Sequence, residues 1–256
     1  MKNNILFASS TLLIAGIFFV INDAIINYLS SQNIQFYHFI FYGTPAYLSI
    51  PLYLFSKGDL KKHLVSTNYK ILIFRSFIFS PMPFITFVAL KNITLPEFTT
   101  LNMCSPLVAA IFAYFILKEK LNVFIYLSLI IGFTGVLFVV QPGFETFNIY
   151  FLVALLGVFF ITLSTTIVNK YNTIATALGY FLYGGLIIHI ISFFLFIIDP
   201  LKINLNIFLL ISTASIFINA AIFLATFSFK IAQKYYSAIF CLVYLQIVWS
   251  SLVGFY

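Results

Sequence analysis

The sequence predicts an all-α polytopic membrane protein, and three observations carry that prediction. Of its 256 residues 62% are hydrophobic and only 7% charged, where a soluble domain carries about 25% charged residues. The apolar residues gather into nine runs, each near the ~20 residues that a helix rising ~1.5 Å per residue needs to cross ~30 Å of hydrocarbon. Every charged side chain except Asp23 and Arg75 lies in the connections between those runs. A soluble enzyme, a disordered chain and a nucleic-acid-binding domain are thereby excluded. The net charge of +7 does not reverse this, because the basic residues stand between apolar runs rather than along one face.

The first run, 5–26, follows Lys2 but is too long for a signal peptide. It also has no small-x-small cleavage site before Asp23, so it stays as a helix. Run two, 37–55, opens beside His38 and carries Pro45. Run three, 71–90, carries Arg75 and Pro81. Run four, 98–117, carries Asn102 and Pro106 and leads into Lys118-Glu119-Lys120, and run five, 121–140, follows at once. Runs six to nine, 149–168, 174–198, 206–229 and 237–256, contain no proline. Cys104 and Cys241 both lie inside apolar runs, which implies neither a disulfide framework nor a thiolate metal site. Lysines cluster in alternate connections: Lys2, Lys57, Lys61, Lys62, Lys70, Lys118, Lys120, Lys170, Lys230 and Lys234 against Lys91 and Lys202. Basic residues favour the cytoplasmic loops. The N-terminus is therefore expected in the cytoplasm, in a bacterial inner membrane.

Two internal similarities agree in spacing. FVINDAIINYL (19–29) resembles ITLSTTIVNKY (161–171), and FTTLNMCSPLVAAIFAYFIL (98–117) resembles YSAIFCLVYLQIVWSSLVGF (236–255). Together they predict a five-helix unit used twice, 5–140 and 149–256. Five is odd, so the copies would insert in opposite directions, as inverted-topology repeats do. The second unit stops at Tyr256, where the equivalent of the Lys118-Glu119-Lys120 junction is due. The expectation is therefore nine spans of a ten-helix chain cut short.

TTLNMCSPLVAAIFAYFILKEKL (99–121) followed by IIGFTGVLFVVQPG (130–143) resembles the drug/metabolite transporter superfamily, EamA type. Its members have ten helices in two inverted halves, with a mid-helix proline and terminal glutamate in the fourth helix and glycines in the fifth. Pro106, Glu119, Gly132 and Gly135 match. LIFRS (72–76) resembles the arginine that often opens the third helix, and NDAIINY (22–28) a first-helix pattern. The chain departs at Tyr42, where many members have arginine, and at Tyr244, which stands for the proline equivalent to Pro106. The resemblance implies a metabolite carrier, and one branch of the family takes up S-adenosylmethionine.

The residues inside the runs supply the candidate site. Pro45, Pro81 and Pro106 fall near the centres of runs two to four. Each removes a helix hydrogen bond that lipid cannot replace, which suggests kinks around a midplane cavity and a gating role. Asp23 is placed ~11 Å from the centre of run one toward the outside. Burying its charge there costs between ~3 and more than ~10 kcal/mol, which a proton or a partner would lower. His38 lies at almost the same depth and is a candidate partner. An aspartate solvated at the helix end is the alternative.

Arg75 is placed ~8 Å from the centre toward the cytoplasm, a depth at which its long side chain snorkels to the head groups or meets a carboxylate or phosphate at an inner gate. His189, Asn219 and Gln246 share a midplane depth, with Asn102 shallower and Trp249 one turn from Gln246. They form either a polar site or ordinary interhelical hydrogen bonds. Ser76/Ser80, Ala109/Ala113 and Ser128/Gly132 read as small-xxx-small packing pairs. The aromatic excess follows A/T-rich codon use.

No nucleotide-binding, zinc-protease or nucleophile-elbow motif occurs. The reading is a secondary carrier of a small polar metabolite, an amino acid or related compound, working by alternating access. The bilayer, the metabolite and a proton or the membrane potential are its partners, without nucleic acid or cofactor. The alternatives are an inert truncated carrier product and a membrane-embedded lipid-modifying enzyme.

Overall fold

In the computed structural model, which describes residues 2–140 and 148–253, every regular element is helical. The helices are α1 (Lys2–Ser30), α2 (Phe36–Ser56), α3 (Leu60–Leu64), α4 (Tyr69–Phe79), α5 (Met82–Asn92), α6 (Leu95–Asn102), α7 (Ser105–Phe112), α8 (Val123–Val140), α9 (Ile149–Lys170), α10 (Ala177–Ile198), α11 (Leu205–Ala232), α12 (Tyr236–Phe240) and α13 (Gln246–Val253). A π turn at Ala113–Leu117 and a 3₁₀ turn at Cys241–Leu245 continue α7 and α12. Six helical stretches among the described residues are long and apolar enough to cross a bilayer: Ile5–Ser30, Tyr69–Asn92, Leu95–Leu117, Ile149–Lys170, Ala177–Ile198 and Leu205–Ser250. The chain is a multi-pass helical membrane protein. All nine expected runs are largely helical over their described residues. Positions 141–143 of the motif that begins at 130, and the last three residues of run nine, lie outside those described.

Short polar side chains start the helices by accepting the N–H groups that the first turn leaves unpaired. Asn148 caps α9 at Tyr150, Thr176 caps α10 at Gly179, and Asn204 caps α11 at Ile207. Thr94 and Glu97 form a reciprocal capping box on α6. Left-handed residues stop two turns: Asn33 after α1 and Lys118 after the π turn.

The prolines act differently from the expected mid-helix kinks. Pro45 does lie inside α2, and Pro51 with it. Pro81 instead occupies the N-cap of α5, and Pro106 the first turn of α7. Runs three and four are broken helix pairs, with Pro81 in the first break and Pro106 just after the second. A proline there has no helical N–H bond to lose, and its ring fixes the backbone for the next helix. Run nine breaks too, into its 3₁₀ turn at Cys241–Leu245, with no proline at all.

Connections collect at two ends. At one, the Thr67 N–H donates to Ile174 O, His63 bonds Thr176, Asn169 donates to Gln233 O, and Ser237 bonds Glu119. Lys57, Lys118, Lys170 and Lys234 share that end. At the other, Tyr42 donates to Leu201 O and Asn148 to Asn92 O. Packing also comes in matched sets. Helix α1 lies on α11 as α5 lies on α9, and α2 meets α11 as α10 meets α4. Small residues make the closest approaches: Ala8, Ala15, Ala225 and Ala232 join the cluster between α1 and α11, where Ser228 Oγ donates 2.7 Å to Ala8 O. Ala109 and Ala113 are fully buried and Gly132 backs onto the Tyr244 ring, while Ser128 is exposed.

Glu119 ties run four to run nine. Ser237 Oγ donates to its Oε1 at 2.5 Å and the Ser237 N–H to its Oε2 at 3.4 Å. Burial pushes the Glu119 carboxyl above its ordinary value of 4.5, and the two Ser237 bonds only partly offset that. A carboxyl with a raised folded pKa holds its proton more tightly in the fold. Its stabilising share is complete below the ordinary value and is lost as pH rises through the raised one. The melting temperature of the purified chain should therefore fall as pH rises through that window, and Glu119→Gln should flatten the dependence.

Candidate functional site

A cavity of about 240 Å³ lies within the bundle, bordered by α1, α2, α4, α5, α6, α7, α9, α10, α11, α12, the 3₁₀ turn and α13. Its wall is mostly apolar, with Phe and Ile the commonest residues, and is interrupted by amide, hydroxyl, imidazole and carboxyl groups. Five of the residues expected from the sequence do border it: Asp23, Asn102, His189, Asn219 and Gln246. Asp23 is the one acidic side chain among the described lining residues, which include no lysine or arginine.

Asp23 stands seven residues before the end of α1, so it is not an aspartate at a helix terminus. Asn22 Nδ2 donates to its Oδ1 at 3.2 Å. His38 is not its partner. That imidazole reads the N-terminus of α2 instead, accepting from the Gln35 N–H at Nδ1 and meeting Asp199 O at Nε2, 2.8 Å away. Equal depth had suggested the Asp23–His38 pair, but the two side chains leave their helices in different directions. His38 and Tyr37 both tie to Asp199, joining α2 to the end of α10.

Arg75 does not snorkel. It is 2% exposed, and its Nη1 donates to Tyr180 O at 2.7 Å. Its guanidinium lies 5.2 Å from the Phe79 ring, a cation–π distance. Phe79 borders the cavity, so Arg75 stands one ring behind the wall. No carboxylate among the described residues lies within ion-pair distance of it, and its Nε has no partner among them. The Gly184-Gly185 pair makes the seat. A Cβ at Gly184 would stand 1.9 Å from Arg75 Nη1, and one at Gly185 would stand 2.8 Å from the Tyr47 ring.

The imidazole of His189 stacks on Tyr47 at 4.0 Å, with its Nδ1 2.8 Å from Gly185 O. Asn219 donates to Ser215 O within its own helix. Gln246 packs against Gly16 of α1, whose missing Cβ gives it room. Trp249 is not among the lining residues, and its indole N–H has no partner among those described. Pro45, Pro81 and Pro106 are also outside the lining, although Pro83 and Ser105 beside the two breaks belong to it.

Sequence reasoning missed Tyr47, Ser215 and the weight of Asn22. Tyr47 is buried and donates to Leu182 O, joining α2 to α10. Asn22 was legible as the neighbour of the one buried aspartate. Ser215 and Tyr47 carried no such signal, since hydroxyl groups recur throughout these runs.

Residues 2–141 match the profile of the EamA-like transporter family. The chain belongs to that family. It is similar to two curated proteins from two strains of Helicobacter pylori, each named an uncharacterized transporter. It is 30% identical to each over 149 residues, which is 57% of this chain and 49% of theirs. The chain thus spans about half the length of the curated relatives it matches. A solved crystal structure aligns over 96% of this chain and 87% of its own with a TM-score of 0.71 and 14% identity, which shows a common fold.

The Arg75 seat gives a direct test. Gly184→Ala forces the guanidinium out of its place and should lower stability by ~1–3 kcal/mol. In an Arg75→Ala background the added methyl enters vacated space, so the penalty should shrink by at least ~1 kcal/mol. Thermal melting of the four proteins of this double-mutant cycle measures the coupling.

Proposed function

We propose that the protein is a secondary carrier which moves a small polar metabolite, an amino acid or a related compound, by alternating access around this cavity. The observation that carries the reading is the lone carboxylate of Asp23 in a cavity whose other polar wall groups are uncharged amides, hydroxyls and an imidazole, inside a member of a transporter family. A charge in that place is costly unless a ligand, a proton or water offsets it. Asp23 would hold the cationic group of the metabolite or exchange it for a proton. Asn102, His189, Asn219 and Gln246 would contact the rest of it. A proton or the membrane potential would drive transport.

The helices before and after residue 148 are, in this reading, two copies of one unit inserted in opposite directions. Paired details support it. Asn27 donates to Leu90 O at 3.1 Å, and Asn169 donates to Phe229 O at 2.9 Å. Each bond ties the end of a unit's first long helix to the end of its third run. The break at Met103–Cys104 and the 3₁₀ turn at Cys241–Leu245 occupy matching places in runs four and nine. Carriers of this design rock one half against the other around a fixed midplane site. The lysine-rich end is assigned to the cytoplasm, which puts the N-terminus there in an inner membrane.

Transport in sealed vesicles against a panel of amino acids, the amines that correspond to them without the carboxylate, and S-adenosylmethionine tests the proposal. Uptake of at least one compound should respond to an imposed proton gradient or potential. Asp23→Asn should slow it at least ~10-fold, which is ~1.4 kcal/mol on the barrier, and remove its pH dependence. Unchanged rate and pH profile in Asp23→Asn would refute the role of Asp23.

A further inference from the structure

We propose that the Asn22–Asp23 corner of the cavity is the seat of a primary ammonium group and that the transported compound carries net positive charge. The inference rests on the cavity being the transport site, and it narrows the class of occupant.

The corner offers acceptors and almost no donors. Asn22 is 1% exposed and borders the cavity. One N–H of its Nδ2 is used on Asp23 Oδ1, and its own Oδ1 is buried without a partner among the described residues. No Lys, Arg or His among those residues lies within ion-pair distance of Asp23. An amide oxygen and a carboxylate side by side, both short of donors, need a group with several N–H bonds. An ammonium has three and no acceptor. Its charge also answers the carboxylate, which a neutral hydroxyl or amide would not. Charge-assisted bonds of this kind are the strong ones.

A quaternary ammonium brings the charge but no N–H, so Asn22 Oδ1 would stay unpaired. Sites built to hydrogen-bond a substrate reject an analogue lacking the donor far more strongly than an apolar pocket rejects a size change. The remaining walls speak against a compensating carboxylate on the same molecule. The lining contains no lysine or arginine. Arg75 is held behind Phe79 by its bond to Tyr180 O. The contact of His189 Nδ1 with Gly185 O places the imidazole proton there in the neutral ring and leaves Nε2 as an acceptor. Ser215 Oγ, also bordering the cavity, is buried and unpartnered among the described residues, and it can turn its proton either way. A zwitterion would therefore bring a second charge that meets no opposite one.

Three compounds of one carbon chain separate these features: n-butylamine, butyltrimethylammonium and γ-aminobutyrate. The second removes the N–H groups, and the third keeps them but adds a carboxylate. Thermal melting of the purified full chain, read from Trp249, the single tryptophan, reports ligand binding through stabilisation. n-Butylamine should raise the melting temperature by several degrees with saturation. The other two should need at least ~10-fold higher concentration for the same shift. Asp23→Asn and Asn22→Leu should each abolish the n-butylamine shift. An equal shift with butyltrimethylammonium or γ-aminobutyrate, no shift with n-butylamine, or a shift that survives in Asp23→Asn would overturn the proposal. The comparison of ligands on the unaltered chain stands even where a variant does not fold. Gradient-driven uptake of a zwitterionic amino acid with no preference for amines would leave the carrier reading intact and overturn this one alone.

Discussion

Hydrocarbon supplies no hydrogen-bond partner, so every polar group that this chain carries into the bilayer must be answered from within the bundle. That requirement accounts for much of the architecture. Thr, Ser and His side chains bond back to the carbonyl one turn earlier, as Thr44 does to Ile40 and His189 to Gly185. Asn27 and Asn169 reach across to neighbouring helices. Where runs three and four interrupt their helices, the breaks lie beside the cavity rather than against lipid. Irregular backbone at membrane depth is tolerated in just such surroundings.

The same requirement separates the two intramembrane charges into different roles. Arg75 is enclosed: a carbonyl, an aromatic ring and a glycine seat hold it, and its side chain joins α4 to α10. Asp23 has one amide bond and a cavity. A charge already enclosed by protein rigidifies two helices. A charge left facing a cavity is available to a ligand or a proton. The glycines follow this division, with Gly184 and Gly185 fixing Arg75 and Tyr47 while Gly16 and Gly43 leave room for Gln246 and Ser215 at the cavity wall.

Much of this was legible in the sequence. Hydropathy and the placement of charges located the nine runs, since both depend on composition along the chain. Asp23 stood out because a carboxylate in an apolar run has few cheap explanations. What depth along a helix does not contain is direction around it. His38 matched Asp23 in depth but faces the connection at Asp199, and Arg75 matched the depth of a snorkelling side chain but points into α10. Pro81 and Pro106 were correctly tied to irregular backbone, but a break at or just before a proline looks the same in sequence as a kink at it. Tyr47 and Ser215 were hidden because tyrosine and serine are as common on packing faces as in sites. The Gly184-Gly185 pair was visible, yet its purpose depends on which side chains approach it.

The central claim is that Asp23 faces a water-accessible cavity inside the bundle, and accessibility along α11 tests it. Asn219 borders the cavity, and Ile216, less than one turn away, is 62% exposed on the outer surface. In a chain with Cys104 and Cys241 replaced by serine, Asn219→Cys and Ile216→Cys can be challenged in membranes with a small cationic thiosulfonate. The reagent requires a thiolate, and a thiolate requires water. Labelling of Asn219→Cys but not of Ile216→Cys is the expected result. Labelling of Ile216→Cys with Asn219→Cys silent would contradict a wet cavity and the role given to Asp23.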